Sequence, residues 1–284
     1  MKKRNWIPVV VIVLCLALFV AYWMYTRSIT DTTAPTVTIA NPEQIPEISV
    51  QDDTAALLQG VTAKDDRNGD VTESLIVESV SSINDDHEVT VTYAAFDKSG
   101  NVGKAKRTVR YTDYVGPRFG LAKPLIYVYG VQFDVLTNVE ANDLLDGDIR
   151  HRVKTARMSE ALLAEEGTHE VRFRVTNSLG DMEELILPVE VHYAEKYGAQ
   201  LQLKDYLIYL PKGASFNAES YLYEVVHRGV STPLYQRIPN TMQLELNDPV
   251  DTNTPGVYTV TYTLESKTDD HWTAYTKLIV VVEG

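Results

Sequence analysis

The chain of 284 residues is long enough for one large domain or for two or three small ones. Hydrophobic residues make up 44% of it, which is ordinary for folded protein and excludes wholesale disorder. A single cysteine excludes a disulfide framework and any cysteine-based zinc or iron–sulfur site. The formal net charge of −13 argues against nucleic acid as a partner, because binding to phosphates needs a basic face.

An uncharged apolar run of 19 residues, Ile7 to Tyr25, follows a basic N-terminus. At about 1.5 Å per residue this run spans roughly 28 Å, close to the hydrocarbon thickness of a bilayer. The three basic residues at positions 2–4 favour an N-terminus inside the cell and a C-terminal region outside. The sequence therefore predicts a cytoplasmic tail over 1–5, a single-pass transmembrane helix over 6–27 in the plasma membrane, and an extracellular remainder.

A cleaved secretory signal is the alternative interpretation of this N-terminal run. No A-x-A site follows the apolar residues, and the bulky residues 22–25 occupy the place where cleavage usually falls. Both interpretations export the rest of the chain. The first 30 residues contain four basic residues and no acidic ones. The exported part therefore carries the remaining 22 basic residues and all 39 acidic ones.

Period-two alternation of Val, Thr, Tyr and Phe dominates the exported part and predicts strands with one buried face. The clearest runs are Val89–Tyr93, Val171–Val175 and Tyr258–Tyr262. Val61–Asp65 also matches Val139–Asp143 after a shift of 78 residues, and Val91–Gly100 matches Val171–Gly180 after a shift of 80. These shifts indicate an internal repeat of a small β module.

Three units of this repeat follow a short linker over residues 28–33. The predicted boundaries are 34–113, 114–194 and 195–284, the last unit being divergent because it lacks the Gly-Asp turn of the other two. Units of this size are typical of small β-sandwiches. The predicted fold class is therefore all-β, with tandem sandwiches preceded by one transmembrane helix.

Four motifs of the first unit carry a family resemblance. They are Pro35-x-Val37-x-Ile39, Ala63-x-Asp65, Gly69-Asp70-Val71 and the run from Val91 to Asn101. Together they resemble the bacterial surface immunoglobulin-like domain, which is also found in crystal pesticidal toxins and is close to hyalin-type repeats. The resemblance implies an Ig-like fold for most of residues 34–284. It implies little about function, because such domains serve as spacers, adhesins and enzyme appendages.

Acidic residues cluster in two equivalent loops and are candidate ligands for Ca²⁺, which prefers oxygen donors. The candidates are Asp65, Asp66, Asp70, Asp143, Asp146 and Asp148. Their spacing is not that of an EF-hand loop. The other interpretation is a plain turn, in which aspartates cap backbone amides and a glycine supplies a positive φ. Apart from Ca²⁺, the sequence predicts no cofactor and no metal.

Tyrosines are dense in the third unit, where exposed aromatic rings would stack on sugars or anchor a protein partner. The candidate ligand contacts are Tyr206, Tyr209, Tyr221, Tyr223 and Tyr235. Tyrosine is also a common strand residue, so core filling is the competing interpretation.

Catalytic motifs are missing from the sequence: it has no G-x-S-x-G elbow, no H-x-x-x-H pair and no phosphate-cradling glycine loop. The sequence therefore predicts a non-enzyme, an anchored stalk or adhesion-type interaction module at a bacterial cell surface. The alternative is a carbohydrate- or cell-wall-binding accessory protein of an export or polysaccharide system. The expected partners are the membrane and either a cell-wall glycan or a surface protein.

Overall fold

A computed structural model describes residues 6–155, 165–193 and 198–284, which divide into two compact units, Met1–Tyr114 and Val115–Gly284. The boundary predicted at residue 194 and the short helix predicted from the composition of Met158–Glu166 fall wholly or largely outside the described residues. The predicted boundaries of the three repeats stay predictions.

Helix α1 spans Ile7–Ile29, and Pro8 occupies its first turn, where the missing N–H costs no hydrogen bond. The segment Ile7–Arg27 has a mean hydropathy of 2.7, and none of its apolar window is buried within the protein. This helix is long and apolar enough to span a membrane, and a signal sequence near the N-terminus has the same properties.

The first unit continues as a two-sheet β-sandwich with one short helix, α2 (Thr54–Leu58). One sheet has the strand order β1-β3-β4 and the other β2-β7-β6-β5. Its strands are β1 Thr36–Ile39, β2 Glu47–Ile48, β3 Val61–Asp65, β4 Gly69–Asp70, β5 Ile76–Val80, β6 Glu88–Phe96 and β7 Val102–Tyr111.

The second unit begins with another two-sheet sandwich, ordered β11-β10-β8 and β12-β13-β14-β9. Its strands are β8 Arg118–Leu121, β9 Ile126–Val128, β10 Val139–Asp143, β11 Gly147–Asp148, β12 Lys154–Thr155, β13 Gly167–Thr176 and β14 Met182–His192.

A third set of strands follows in the same unit, ordered β18-β17-β15-β21-β20-β19, with β16 also paired to β21. These strands are β15 Ala199–Leu203, β16 Leu207–Leu210, β17 Leu222–His227, β18 Val230–Pro233, β19 Met242–Asn247, β20 Gly256–Ser266 and β21 Thr273–Val282.

One pairing pattern recurs three times along the chain and identifies the sandwiches as Ig-like. In each repeat the opening segment is split into two strands. The first piece pairs antiparallel in one sheet (β1 with β3, β8 with β10, β15 with β17), and the second piece pairs parallel with the closing strand (β2 with β7, β9 with β14, β16 with β21). The predicted all-β fold class of tandem sandwiches behind an apolar helix is confirmed.

Matched positions of the predicted repeat form the cores. Tyr93, Phe173 and Tyr262 are fully buried on the penultimate strand of each repeat. The hydroxyl of Tyr93 donates to the carbonyl of Leu57, and that of Tyr262 donates to the carbonyl of Ala218. Phenylalanine needs no such acceptor, which explains how the middle repeat dispenses with one.

Candidate functional site

Asp65 is the predicted site residue that the structure places in a cluster. It ends strand β3, and its Oδ1 accepts hydrogen bonds from the backbone amides of Arg67 at 3.0 Å and Asn68 at 2.6 Å. This is the turn geometry expected of the motif. Only 2% of the residue is exposed, yet its Oδ2 is buried and accepts no hydrogen bond from the described residues.

Asp97 follows strand β6 and is 8% exposed. Its Oδ1 accepts from the amides of Ser99 and Asn101, and its Oδ2 accepts from the Asn101 side-chain amide at 2.7 Å. Burial raises the pKa of this carboxyl, but the hydrogen bonds together outweigh burial, so the pKa lies below its ordinary value. Asp97 is therefore a carboxylate at neutral pH.

Asp31 comes from the segment after α1 and completes the cluster. Its Oδ1 accepts from the amide of Thr33 at 2.9 Å, and its backbone carbonyl accepts from Asn101 Nδ2 at 3.1 Å. Its Oδ2 is buried without a hydrogen bond and lies 3.9 Å from Nε of the half-exposed Arg67. One carboxylate oxygen from each of Asp31, Asp65 and Asp97 lies within 4.8 Å of the others.

The remaining acidic candidates of the first repeat lie outside this cluster. Asp66 and Asp70 are exposed, and Asp70 accepts a hydrogen bond from the amide of Thr72, whose side chain and backbone lower its pKa. Asp70 therefore caps a turn, as the competing interpretation of these aspartates predicts.

The equivalent loop of the second repeat is closed by an amide. Asp143 is 5% exposed, and its Oδ2 accepts a hydrogen bond from Asn177 Nδ2 at 3.0 Å. Asp146 accepts from the amide and hydroxyl of Ser178 and pairs with Arg152 at 2.7 Å. Asp148 is exposed and pairs with Arg150. These three carboxylates already have protein donors.

Two residues of the cluster, Asp31 and Asp97, were not among the predicted ligands. Asp97 stands in the matched Val91–Gly100 segment, where Asn177 is its counterpart, so the repeat itself held a signal. Asp31 lies in the predicted linker over 28–33, and its sequence context carries no comparable signal.

The predicted tyrosine set divides into packed and exposed members. Tyr206 and Tyr209 pack against apolar cores, and Tyr221 is half-buried beside Phe216. Tyr223 and Tyr235 are 45% and 54% exposed, with stacked rings whose centroids are 6.0 Å apart. Only the last two present aromatic faces to solvent in the manner that ligand binding requires.

Tyr209 belongs to an extensive contact between the second and third repeats. Its hydroxyl accepts from the amide of Phe119 at 3.0 Å, and the guanidinium of Arg118 lies 4.9 Å from its ring centroid. Burial raises the pKa of Tyr209 well above its ordinary value. Burial also raises the pKa of the neighbouring Glu183 carboxyl, with Asp181 adding to the effect.

Apolar and ionic contacts reinforce this junction. Leu207, Ile279 and Val281 of the third repeat pack in the same hydrophobic cluster as the core of the second. Lys277 and Glu190 form a buried ion pair with Nζ and Oε2 2.5 Å apart. These residues of the third repeat therefore extend the core of the second, while the rest of the third repeat packs in a core of its own.

Comparison with known proteins gives only distant likenesses. No family model and no curated protein matches the chain. Solved structures that align with it include mouse cadherin-23 EC22-24 (12% identity, 88% of this chain and 99% of that chain, TM-score 0.20). Another is a protocadherin gamma B7 fragment of four cadherin domains (13%, 88% and 76%, TM-score 0.21).

A bacterial structure also aligns, the M60 catalytic domain with CBM51-1 and CBM51-2 from Clostridium perfringens ZmpB (12% identity, 88% of this chain, TM-score 0.21). The chain spans 31% of that structure. TM-scores and identities this low indicate neither relatedness nor a shared function.

Proposed function

We propose that this protein is a membrane-anchored, extracytoplasmic stalk or interaction module of a bacterial cell surface, without catalytic activity. The observation that carries the proposal is the solvent exposure of the apolar helix α1. Its residues from Trp6 to Tyr25 are all exposed, including large side chains such as Phe19 at 65%. An exposed apolar helix of this length is stable in lipid rather than in water.

The β-sandwiches support a role in reach and contact. Apolar contacts and a buried ion pair join the second and third repeats, which suits a spacer or a rigid presenting arm better than freely flexing domains. The acidic surface keeps such an arm soluble and away from anionic lipid.

A membrane-extraction experiment tests the anchor. The full chain expressed in bacterial cells should stay in the membrane pellet after alkaline carbonate washing, with its N-terminal residues intact by mass spectrometry. Each arginine near the centre of a spanning helix costs about 2.5–3.5 kcal/mol of insertion free energy. The Leu14→Arg/Leu18→Arg variant should therefore leave the pellet.

The matched control is Leu144→Arg, which places arginine at an exposed leucine of the second unit. It should remain with the membrane. Release of a shortened wild-type chain into the medium would show a cleaved signal and contradict the anchor.

The stacked pair Tyr223 and Tyr235 favours a second candidate function, binding of cell-wall glycan. Retention of the detergent-solubilised full chain on purified peptidoglycan should then fall at least tenfold in the Tyr223→Ala/Tyr235→Ala variant. Tyr129 and Tyr193 form another exposed aromatic pair, so their double alanine variant is the control. Equal retention of all three proteins would refute this candidate function.

A further inference from the structure

We propose that Asp31, Asp65 and Asp97 form a Ca²⁺ site that fastens the segment following α1 to the first sandwich. The three side chains come from the linker, from the last residue of β3 and from the residue after β6. All three are more than nine-tenths buried. The expected affinity range and the role outside the cell rest on the proposed function, whereas the position of the site does not.

The spacing of the oxygens suits one cation. Ca²⁺ binds oxygen ligands at about 2.3–2.6 Å, so two ligands on opposite sides of one ion are at most about 5 Å apart. The three carboxylate oxygens lie within 4.8 Å of one another. Three carboxylates supply part of the six to eight oxygens that Ca²⁺ takes, and water or backbone carbonyls supply the rest.

Unsatisfied oxygen atoms provide an independent indication of a ligand. Oδ2 of Asp31 and Oδ2 of Asp65 are buried and accept no hydrogen bond from the described residues. A buried carboxylate oxygen without a donor is unfavourable, and buried charges are paired or coordinate metals. Arg67 Nε forms a long ion pair with Asp31 Oδ2 at 3.9 Å, which is beyond hydrogen-bonding distance and leaves Asp65 Oδ2 unpartnered among the described residues.

Each carboxylate is also held in position. Backbone amides of residues 33, 67 and 99 donate to Oδ1 of Asp31, Asp65 and Asp97, respectively. This leaves Oδ2 of Asp31 and of Asp65 available for a cation. Fixed ligands reduce the conformational entropy that binding removes.

The second repeat shows how the same architecture closes without a cation. Asn177 stands where the first repeat has Asp97, and its amide donates to Asp143, the counterpart of Asp65. Replacing one carboxylate by an amide therefore supplies the hydrogen-bond donor that the first repeat lacks. The first repeat keeps carboxylates at both positions and adds Asp31, as a cation site requires.

The consequence is mechanical. Asp31 is two residues beyond the end of α1, and Asn101 already holds its carbonyl. A cation shared with Asp65 and Asp97 would fix this segment on the sandwich, so extracellular Ca²⁺ would set the stiffness of the junction between helix and sandwich.

Calcium titration of the full chain in non-ionic detergent tests the site. After treatment with chelator, isothermal calorimetry should detect one Ca²⁺ with a dissociation constant of about 10⁻⁴–10⁻³ M, the range of extracellular calcium modules. Mg²⁺ should bind more weakly, because it demands octahedral geometry and dehydrates reluctantly. No binding up to 10 mM Ca²⁺, or tighter binding of Mg²⁺, would overturn the proposal.

Charge-matched variants locate the ion. Asp65→Asn and Asp97→Asn should each weaken Ca²⁺ binding at least tenfold, whereas Asp66→Asn, an adjacent exposed carboxylate, should leave it unchanged. If Asp65→Asn does not fold, Asp31→Asn in the linker provides the same comparison. Undiminished binding in the Asp97 and Asp31 variants would overturn the proposal.

Amide hydrogen exchange tests whether Ca²⁺ fixes the segment after α1 on the first sandwich. Ca²⁺ should slow amide exchange in peptides covering residues 30–35 of the full chain, and Asp97→Asn should abolish that protection. Exchange in residues 30–35 that is identical with Ca²⁺ and with chelator would overturn the fastening role.

Discussion

At the scale of single residues, Asn177 and Asp97 occupy equivalent positions of two repeats and differ in having an amide or a carboxylate. Both directly follow the penultimate strand of a repeat, and the Oδ1 atom of each accepts hydrogen bonds from backbone amides of the following turn. Asn177 Nδ2 also donates to the buried Asp143, which a carboxylate cannot do. The neutral amide therefore avoids the repulsion that a second carboxylate beside Asp143 would cause.

Replacement of Asn177 by aspartate should destabilise the second unit. The Asn177→Asp variant places two carboxylates against each other in a buried site and removes a donor, at a cost of about 1–3 kcal/mol. Thermal unfolding followed by near-UV circular dichroism should show a lower midpoint. Asn142→Asp, at an exposed neighbour on β10, should change it little; equal effects of both variants would contradict this account.

Asp146 should contribute to stability in a pH-dependent manner. Burial raises the pKa of its carboxyl, but donors from Ser178 and Arg152 outweigh burial and hold the pKa below the ordinary value of 3.8. Such a group stabilises the folded state above its unfolded pKa, and this contribution disappears as pH falls through the folded pKa.

The Asp146→Asn variant should consequently be less stable than wild type at pH 7, by about 1 kcal/mol, and the difference should shrink at an acidic pH below 3.8. Denaturant unfolding at both pH values measures it. Asp66→Asn is the charge-matched control at an exposed site. A difference that persists unchanged in acid would show that Asp146 acts through packing alone.

At the scale of elements, strand β7 has one position where only glycine fits. A Cβ on Gly103 would lie 1.7 Å from the carbonyl oxygen of Pro35, so the segment before β1 rests directly on the β7 backbone. This contact holds the chain between α1 and β1 close to the Asp cluster.

Gly103→Ala should therefore displace that segment and destabilise the first sandwich by more than about 2 kcal/mol. Calcium affinity should fall with it, since Asp31 belongs to the displaced segment. Gly256→Ala on β20 is the control, because a Cβ there makes ordinary contact with Tyr258 at 3.6 Å. Thermal unfolding of both variants distinguishes the clash from a general effect of removing glycine.

The sequence predicts strands well because period two is a direct consequence of one buried face. In β6, Val89, Val91 and Tyr93 are buried and the threonines between them are half-buried, as the alternation predicted. It predicts the cation cluster poorly because residues 31, 65 and 97 come from the linker and from two different sheets, which only tertiary packing brings together. The turn motif accounts for the backbone amides that bind Asp65 Oδ1, but it does not indicate that Asp31 and Asp97 lie beside it.

The junction of the second and third repeats had a sequence signal that alternation does not capture. Residues 276–282 of β21 are buried without interruption, and the continuous apolar run over 278–282 indicates burial on both faces of the strand. The run predicts that something covers the second face. It does not identify Leu187 and Val189 of the preceding repeat, members of the same cluster as Ile279, because that choice depends on tertiary packing.

At the scale of the whole molecule, a variant of the Lys277–Glu190 ion pair tests whether the second and third repeats unfold together. Lys277→Ala removes the lysine from a buried carboxylate, which costs about 3 kcal/mol. Lys104 pairs with Glu78 at an exposed site of the first unit, so Lys104→Ala should cost less than about 1 kcal/mol. Calorimetric unfolding should show the Lys277 variant losing stability across the entire second unit in one transition.

We propose that the apolar helix holds acidic Ig-like sandwiches outside the membrane, and labelling of the C-terminus in intact cells tests this topology. In a Cys15→Ser background, the only thiol of the Gly284→Cys variant lies at the far end of the chain from α1. A membrane-impermeant maleimide should label this thiol in unbroken cells, and the labelled full-length chain should be in the membrane fraction. Labelling that occurs only after cell lysis would place the sandwiches inside and contradict the account.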